Sequence, residues 1–150
     1  MTEVSQNILS THRVHRLHHL AIERHGGDAG LRSEGCIDGV LGGALTNTLY
    51  RCDLDDPDRL DALVFGLYCF QGVSTHHCYV DGNKRTAWLS LLEILQVGCG
   101  LTIEAPDDDV VTFCLTVADQ HLTIEQIAEW VFPRLVPAAF VGESFEPSED

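Results

Sequence analysis

The sequence predicts a single-domain, all-α fold. Three observations carry that reading. Apolar residues recur at helical spacing in one segment after another, no alternating strand pattern occurs beyond a short possibility at Leu101 to Glu104, and 150 residues suffice for one hydrophobic core but hardly for two. A hydrophobic content of 45% against 21% charged residues matches ordinary globular chains and lies far from compositions that stay disordered.

Val14, Leu17, Leu20 and Ala21 share one helical face, and Gly26-Gly27 stop the pattern with the residue type suited to a left-handed cap. Ile37, Val40, Leu41, Ala44 and Leu45 form a second face, weakened by Gly35, Gly39, Gly42 and Gly43, so tertiary packing must sustain that helix. Thr46 to Asp58 mixes Asn, Asp, Pro and Tyr without a period and reads as a long loop, a candidate substrate flap. Leu60, Leu63, Val64 and Leu67, continued by Phe70 and Val73, mark a central helix ending near Thr75. Ala87, Trp88, Leu91, Leu92, Ile94 and Leu95 are apolar around most of a helix, as expected of one buried on several sides and ended by Gly98 and Gly100. Asp107 to Asp109 suit the positive end of a helix dipole, with Val110, Val111, Cys114, Val117 and Ala118 as the buried face. Thr123 and Gln126 form a capping-box pattern, Leu122 can staple against Ile127, and Pro133 closes this last helix. The domain therefore spans 1–137, and the acidic, aperiodic tail 138–150 is expected to fray.

A net charge of −14, from 23 acidic and 9 basic side chains, repels a phosphate backbone over most of the surface. Direct nucleic-acid binding is not expected, and any polyphosphate must be held locally. The start Met1-Thr2-Glu3-Val4 lacks the basic and apolar regions of a signal peptide, and no apolar run reaches membrane-spanning length, so a cytoplasmic protein without a membrane partner is expected. Six cysteines lie scattered without a C-x-x-C pair, mostly among apolar residues, and are expected to be free thiols in that compartment.

The chemistry concentrates in His77-Cys78-Tyr79-Val80-Asp81-Gly82-Asn83-Lys84-Arg85, between two apolar helices. The unpaired amides of the helix that follows make a natural anion site, where a phosphate can sit. His77 can take a proton from an incoming hydroxyl, and Asp81 can hold Mg²⁺ together with phosphate oxygens. Gly82 lets the backbone approach a ligand, Asn83 offers amide donors, and Lys84 and Arg85 supply a point charge and a two-pronged clamp. One of Tyr79 and Val80 should anchor the loop in the core. D-G-N is also what an ordinary turn looks like, with solvated cations beside it. Against that plainer reading, two of nine basic residues sit side by side where they oppose the helix dipole unless an anion arrives.

The segment His77 to Ala87 resembles the Fic/Doc signature H-x-F-x-D-G-N-(G/K)-R, and its ending N-K-R-T-A is similar to that of Doc proteins. The likeness extends to Ile22–Arg32, the central helix and the C-terminal helix pair, covering residues 8–135. It implies a compact bundle of about six helices and ATP with Mg²⁺. It further implies His77 as base, Asp81 as metal ligand, and Gly82, Asn83, Lys84 and Arg85 around the phosphates. Three departures bear on the activity. Tyr79 replaces the usual Phe and adds a hydroxyl that needs a partner. Lys84 stands where AMP-transferring Fic enzymes have Gly, and Trp88 where they have a second Arg. Both resemble Doc, a toxin that acts as a protein kinase. The resemblance thus implies transfer of the γ-phosphate of ATP to a Ser, Thr or Tyr hydroxyl of a target protein, with a translation factor as one such target. AMP transfer is the alternative, and an inactive nucleotide- or partner-binding module a second. The self-inhibition pattern of the family, Ser or Thr followed four residues later by Glu and then Gly or Asn, does not occur, which implies restraint by a separate antitoxin protein.

Competing sites carry less. His12, His15, His19 and Glu23 share one face of the first helix, but opposite the apolar face, as solvated residues do. His18 lies nearer the apolar edge and reads as a structural residue. Arg32 can reach a phosphate or merely be solvated, His76 suits a helix end, Trp88 and Trp130 suit the core, and Asp53, Asp55, Asp56 and Asp58 suit a soluble loop.

Overall fold

The computed structural model describes residues 3–52 and 60–138, and every longer element in them is an α-helix. A short α1 (Glu3–Ile8) leads into α2 (Thr11–His25), which Ser10 caps by accepting from the Arg13 amide and Gly26 ends at φ 80°. Next come α3 (Cys36–Arg51), α4 (Ala62–Thr75) and α5 (Asn83–Cys99), then β1 (Leu101–Ile103), α6 (Asp107–Gln120) and α7 (Ile124–Val131). A single 3-10 turn over Phe132–Arg134 leads to β2 (Leu135–Pro137), which pairs antiparallel with β1 through Leu101–Pro137, Thr102–Val136 and Ile103–Leu135.

Helices α4 and α5 form the centre; α4 buries residues around most of its circumference, whereas the fully buried residues of α5 (Thr86, Ala87, Ser90, Leu91, Ile94 and Leu95) lie along one half of it. They approach closely at Gly66, where an added Cβ would lie 3.2 Å from Ile94 Cγ2. Helix α2 is held to α5 by Arg13, whose Nε and Nη2 donate to Glu93 at 2.7 and 3.1 Å. On the other side, Phe70 of α4 and Trp130 of α7 both pack on Phe113 of α6, with Phe113 and Trp130 stacked at 4.0 Å. Arg134 then covers Trp130 at 4.2 Å.

The expected capping box at Thr123 and Gln126 is present in both directions. Other expectations need correction. Helix α3 continues through Thr46–Arg51, so half of the expected flap is helical, while residues 53–59 with Asp53, Asp55, Asp56 and Asp58 lie outside the described residues. Thr48 explains the extension: its side chain is buried and its hydroxyl donates to the Ala44 carbonyl at 2.7 Å, so tertiary packing overrides weak local propensity. Val111 is 57% exposed, and Phe113 takes the core position instead. Beyond Ala138 the acidic tail also lies outside the described residues.

The cysteine expectation fails most plainly: Cys36 and Cys78 are joined in a disulfide, with Cα atoms 5.6 Å apart. Their sequence separation of 42 hides a proximity created by packing α3 against the loop that precedes α5. Among the described residues Cys52, Cys69, Cys99 and Cys114 are free.

Gly98 lies in the last turn of α5, one residue before its end, and a Cβ there would sit 2.5 Å from Ala62 Cβ. Gly98→Val should therefore lower stability by about 1–3 kcal/mol, since both helices must move to make room. Gly39 is exposed within α3 with nothing near its missing Cβ, and Gly39→Ala should raise stability by about 0.5–1 kcal/mol. Urea unfolding of the two variants should shift the midpoint in opposite directions; equal shifts would contradict this packing.

Candidate active site

The segment between α4 and α5 is short, and each residue in it has a local reason for its place. His76 ends α4 with its Nδ1 hydrogen-bonded to the Gly72 carbonyl at 2.9 Å. His77 then adopts φ 51°, a left-handed conformation uncommon for a residue with a side chain, and turns its exposed imidazole into a cleft. Cys78 and Tyr79 go inward at 1% and 2% exposure, while Val80 stays at the surface. Tyr79 is thus the loop's anchor.

Segment 26–32 straps this loop from the outside. Arg32 donates its amide to the Cys78 carbonyl and Val80 donates to the Gly30 carbonyl, giving a small bridge between Leu31 and Tyr79. Arg32 Nε reaches the Tyr79 carbonyl at 3.3 Å, so this guanidinium serves the loop. The Asp28 amide donates to Asp81 Oδ2 at 2.8 Å. Gly27, at φ 113°, passes so close that a Cβ would lie 3.1 Å from Asp81 Cβ.

From the inside the loop rests on α2. The rings of His18 and Tyr79 stack at 3.6 Å and 8°, and His18 Nε2 lies 2.8 Å from the Asp81 carbonyl. Burial holds the His18 imidazole below its ordinary value, against the raising effect of the Asp81 carbonyl. The added hydroxyl of Tyr79 finds its partner in His15 Nδ1 at 2.7 Å, and burial pushes that phenol upward. His19 pairs with Glu23 at 2.9 Å. Among the described residues no group of three or more His, Cys, Asp or Glu is arranged to hold a metal ion by itself.

Gly82 precedes α5 at φ 82°, and a Cβ there would meet Ile22 and His18 at 3.2 and 3.4 Å. The close approach that requires glycine is therefore to α2. Asn83 is likewise committed to the loop: its Nδ2 donates to the Tyr79 carbonyl at 2.9 Å and its Oδ1 accepts the Tyr79 amide at 3.1 Å. This clasp ties the ends of the turn together and leaves the start of α5 without a side-chain cap. Uncapped first-turn amides and the dipole favour an anion there.

His77, Asp81, Gly82, Asn83, Lys84 and Arg85 all line one cleft of about 890 Å³. Its far wall is apolar, built from Trp88 and Leu92 of α5, Ile103, and Val110 and Leu115 of α6. Trp88 is consequently both a core residue, edge-on to Phe70 and Trp130, and part of the wall. Arg24 and His25, at the last turn of α2, also face this cleft. In sequence this pair is marked only by its place directly before Gly26-Gly27, within the segment Ile22–Arg32. Cys114 lies on the cleft too; burial raises its thiol to about 12, with the Lys84 ammonium opposing.

A divalent cation fits this donor set in one respect. Asp81 presents a hard carboxylate at the cleft, of which one oxygen accepts the Asp28 amide, and Mg²⁺ is commonly held by one or two carboxylates with the substrate's own phosphate oxygens. No described helix is long and apolar enough to cross a membrane.

The model of the Fic/DOC family matches residues 8–95, from the last residue of α1 through the signature loop and most of α5. No curated protein matches the chain.

Proposed function

The chain belongs to the Fic/Doc family, and from that premise we propose that it is a Doc-like protein kinase, transferring the γ-phosphate of ATP to a target-protein hydroxyl. The observation that carries this reading is the meeting of His77, Asp81, Lys84 and Arg85 in one cleft at the uncapped start of α5. The proposed target offers a Ser, Thr or Tyr side chain, a separate antitoxin restrains the enzyme, and the proposed setting is the cytoplasm, where the Cys36–Cys78 bond is open to reduction.

Transfer requires little covalent work from the protein and much positioning. The target hydroxyl attacks phosphorus in line with the departing oxygen, and the imidazole of His77 takes the hydroxyl proton as the new O–P bond forms. The first-turn amides of α5, with the Lys84 ammonium and Arg85 guanidinium, hold the phosphate oxygens. Asp81 would hold Mg²⁺, which when bound neutralises charge on those oxygens. Asn83 keeps the loop in register, and the apolar wall of Trp88, Leu92, Ile103 and Val110 suits the flat, less polar parts of a nucleotide.

Lys84 supports phosphate over AMP transfer. An ammonium beside the helix start adds charge where one end of the polyphosphate rests and so favours one orientation of the nucleotide, and orientation selects the phosphorus under attack. The apolar Trp88 removes a second cation from the same wall. The purified chain should label its target from ATP bearing the isotope at the γ position and not at the α position, and Lys84→Gly should lose that labelling. Labelling from α-labelled ATP alone would replace the kinase reading by AMP transfer.

A further inference from the structure

The signature loop is neither helix nor strand between His77 and Gly82, so its shape depends on what grips it. On the inner side one ring of α2 meets the loop at two points. His18, 4% exposed, lies flat on Tyr79 and presents Nε2 to the Asp81 carbonyl, two residues further along the turn. His15, one helical turn earlier, meets the hydroxyl of the same Tyr79.

We propose that His18, backed by the His15–Tyr79 pair, is a positioning residue that sets where Asp81 and the start of α5 stand relative to His77. It touches no reacting atom in this role and acts through the loop's main chain. A carbonyl only accepts, so the contact requires a proton on Nε2, with the imidazole donating. Stacking needs a flat ring, and the donor must sit on that ring's edge. Phenylalanine supplies the ring without the donor, and glutamine supplies an amide donor at similar reach without the ring. Fixing the Asp81 carbonyl fixes the peptide that enters Gly82, whose left-handed turn aims the first amides of α5. A loop displaced by even about 1 Å can lose on the order of a hundredfold in rate, because the reacting groups no longer line up.

The kinetic part of this inference rests on the phosphotransfer reading; the structural part does not. The experiment uses the full chain and three variants, His18→Phe, His18→Gln and Tyr79→Phe. Amide hydrogen exchange is followed in the 76–86 segment and in α4, α6 and α7, alongside initial rates with ATP. In His18→Phe, exchange in the loop should quicken by about tenfold or more while α4, α6 and α7 keep their protection. The same variant should lose about 30- to 100-fold in kcat, with KM for ATP changed by less than about threefold, the pattern of lost positioning and not of lost binding. His18→Gln should recover kcat to within about fivefold of the unaltered chain. Tyr79→Phe keeps the ring and removes only the His15 contact, so it should quicken loop exchange by about threefold, and it carries the test if His18→Phe does not fold. Unchanged loop exchange in His18→Phe, or in Tyr79→Phe where that variant stands in, overturns the proposal. So does a glutamine variant no better than phenylalanine. Should the unaltered chain transfer nothing from ATP, the phosphotransfer reading falls, and exchange alone then decides whether His18 sets the loop.

Discussion

Replacing His77 by Ala is expected to reduce group transfer by a factor on the order of 10²–10⁴, the usual worth of a well-placed general base, with little change in folding. The second half of that expectation follows from the structure. The side chain is exposed and faces the cleft, whereas the neighbouring Cys78 and Tyr79 carry the packing of the loop. His77 does hold a left-handed backbone conformation, which alanine tolerates poorly. Asparagine accepts it more readily and lacks a comparable base, so His77→Asn separates loss of chemistry from backbone strain. Both variants should melt near the unaltered protein and both should be inactive toward ATP and target. Full transfer by His77→Asn would remove His77 from the role of base.

Opening the Cys36–Cys78 disulfide should have the largest effect on stability. A cross-link across a sequence separation of 42 restricts the unfolded chain by about 4 kcal/mol in the chain-entropy account, and measured values for disulfides commonly fall at about 2–4 kcal/mol. Reduction with a dithiol, keeping both sulfur atoms in place, should therefore lower the melting temperature on the order of 10 °C. The bond also joins the first residue of α3 to the residue after His77, so reduction should loosen the signature loop before it loosens α4 or α5. A gain of 2 Da in intact mass on reduction, as the chemistry of two new thiols dictates, establishes that the bond was present. Unchanged melting after that gain would show that the link contributes nothing to the native fold.

Much of the architecture was legible because its determinants are local. The Thr123 start, the Gly26 and Gly100 stops, and the apolar faces of α2 and α4 each lie within a window of a few residues. The signature loop was legible for the same reason, since base, carboxylate, glycine, amide and cations are contiguous there. Where local signals were weak, packing decided. Helix α3 runs on through Thr46–Arg51 because Thr48 is buried and Arg51 reaches Tyr68 and Glu125, and nothing in the Thr-Asn-Thr stretch announces that. The three-residue β2 is equally silent in sequence, for it exists through its pairing with β1.

Within the site, the division follows the same physics. The sequence by itself determined which groups could do the chemistry and that they stand together at the head of a helix, because covalent neighbours cannot be separated. Only the tertiary structure decided that Cys36 meets Cys78, that His18 lies under Tyr79 and Asp81, that Asn83 spends its amide inside the loop, and that Arg24 and His25 share the cleft. Apart from the local Asn83 clasp, these contacts join residues dozens of positions apart, and their geometry is set by how whole helices pack, a property that no short window of residues contains.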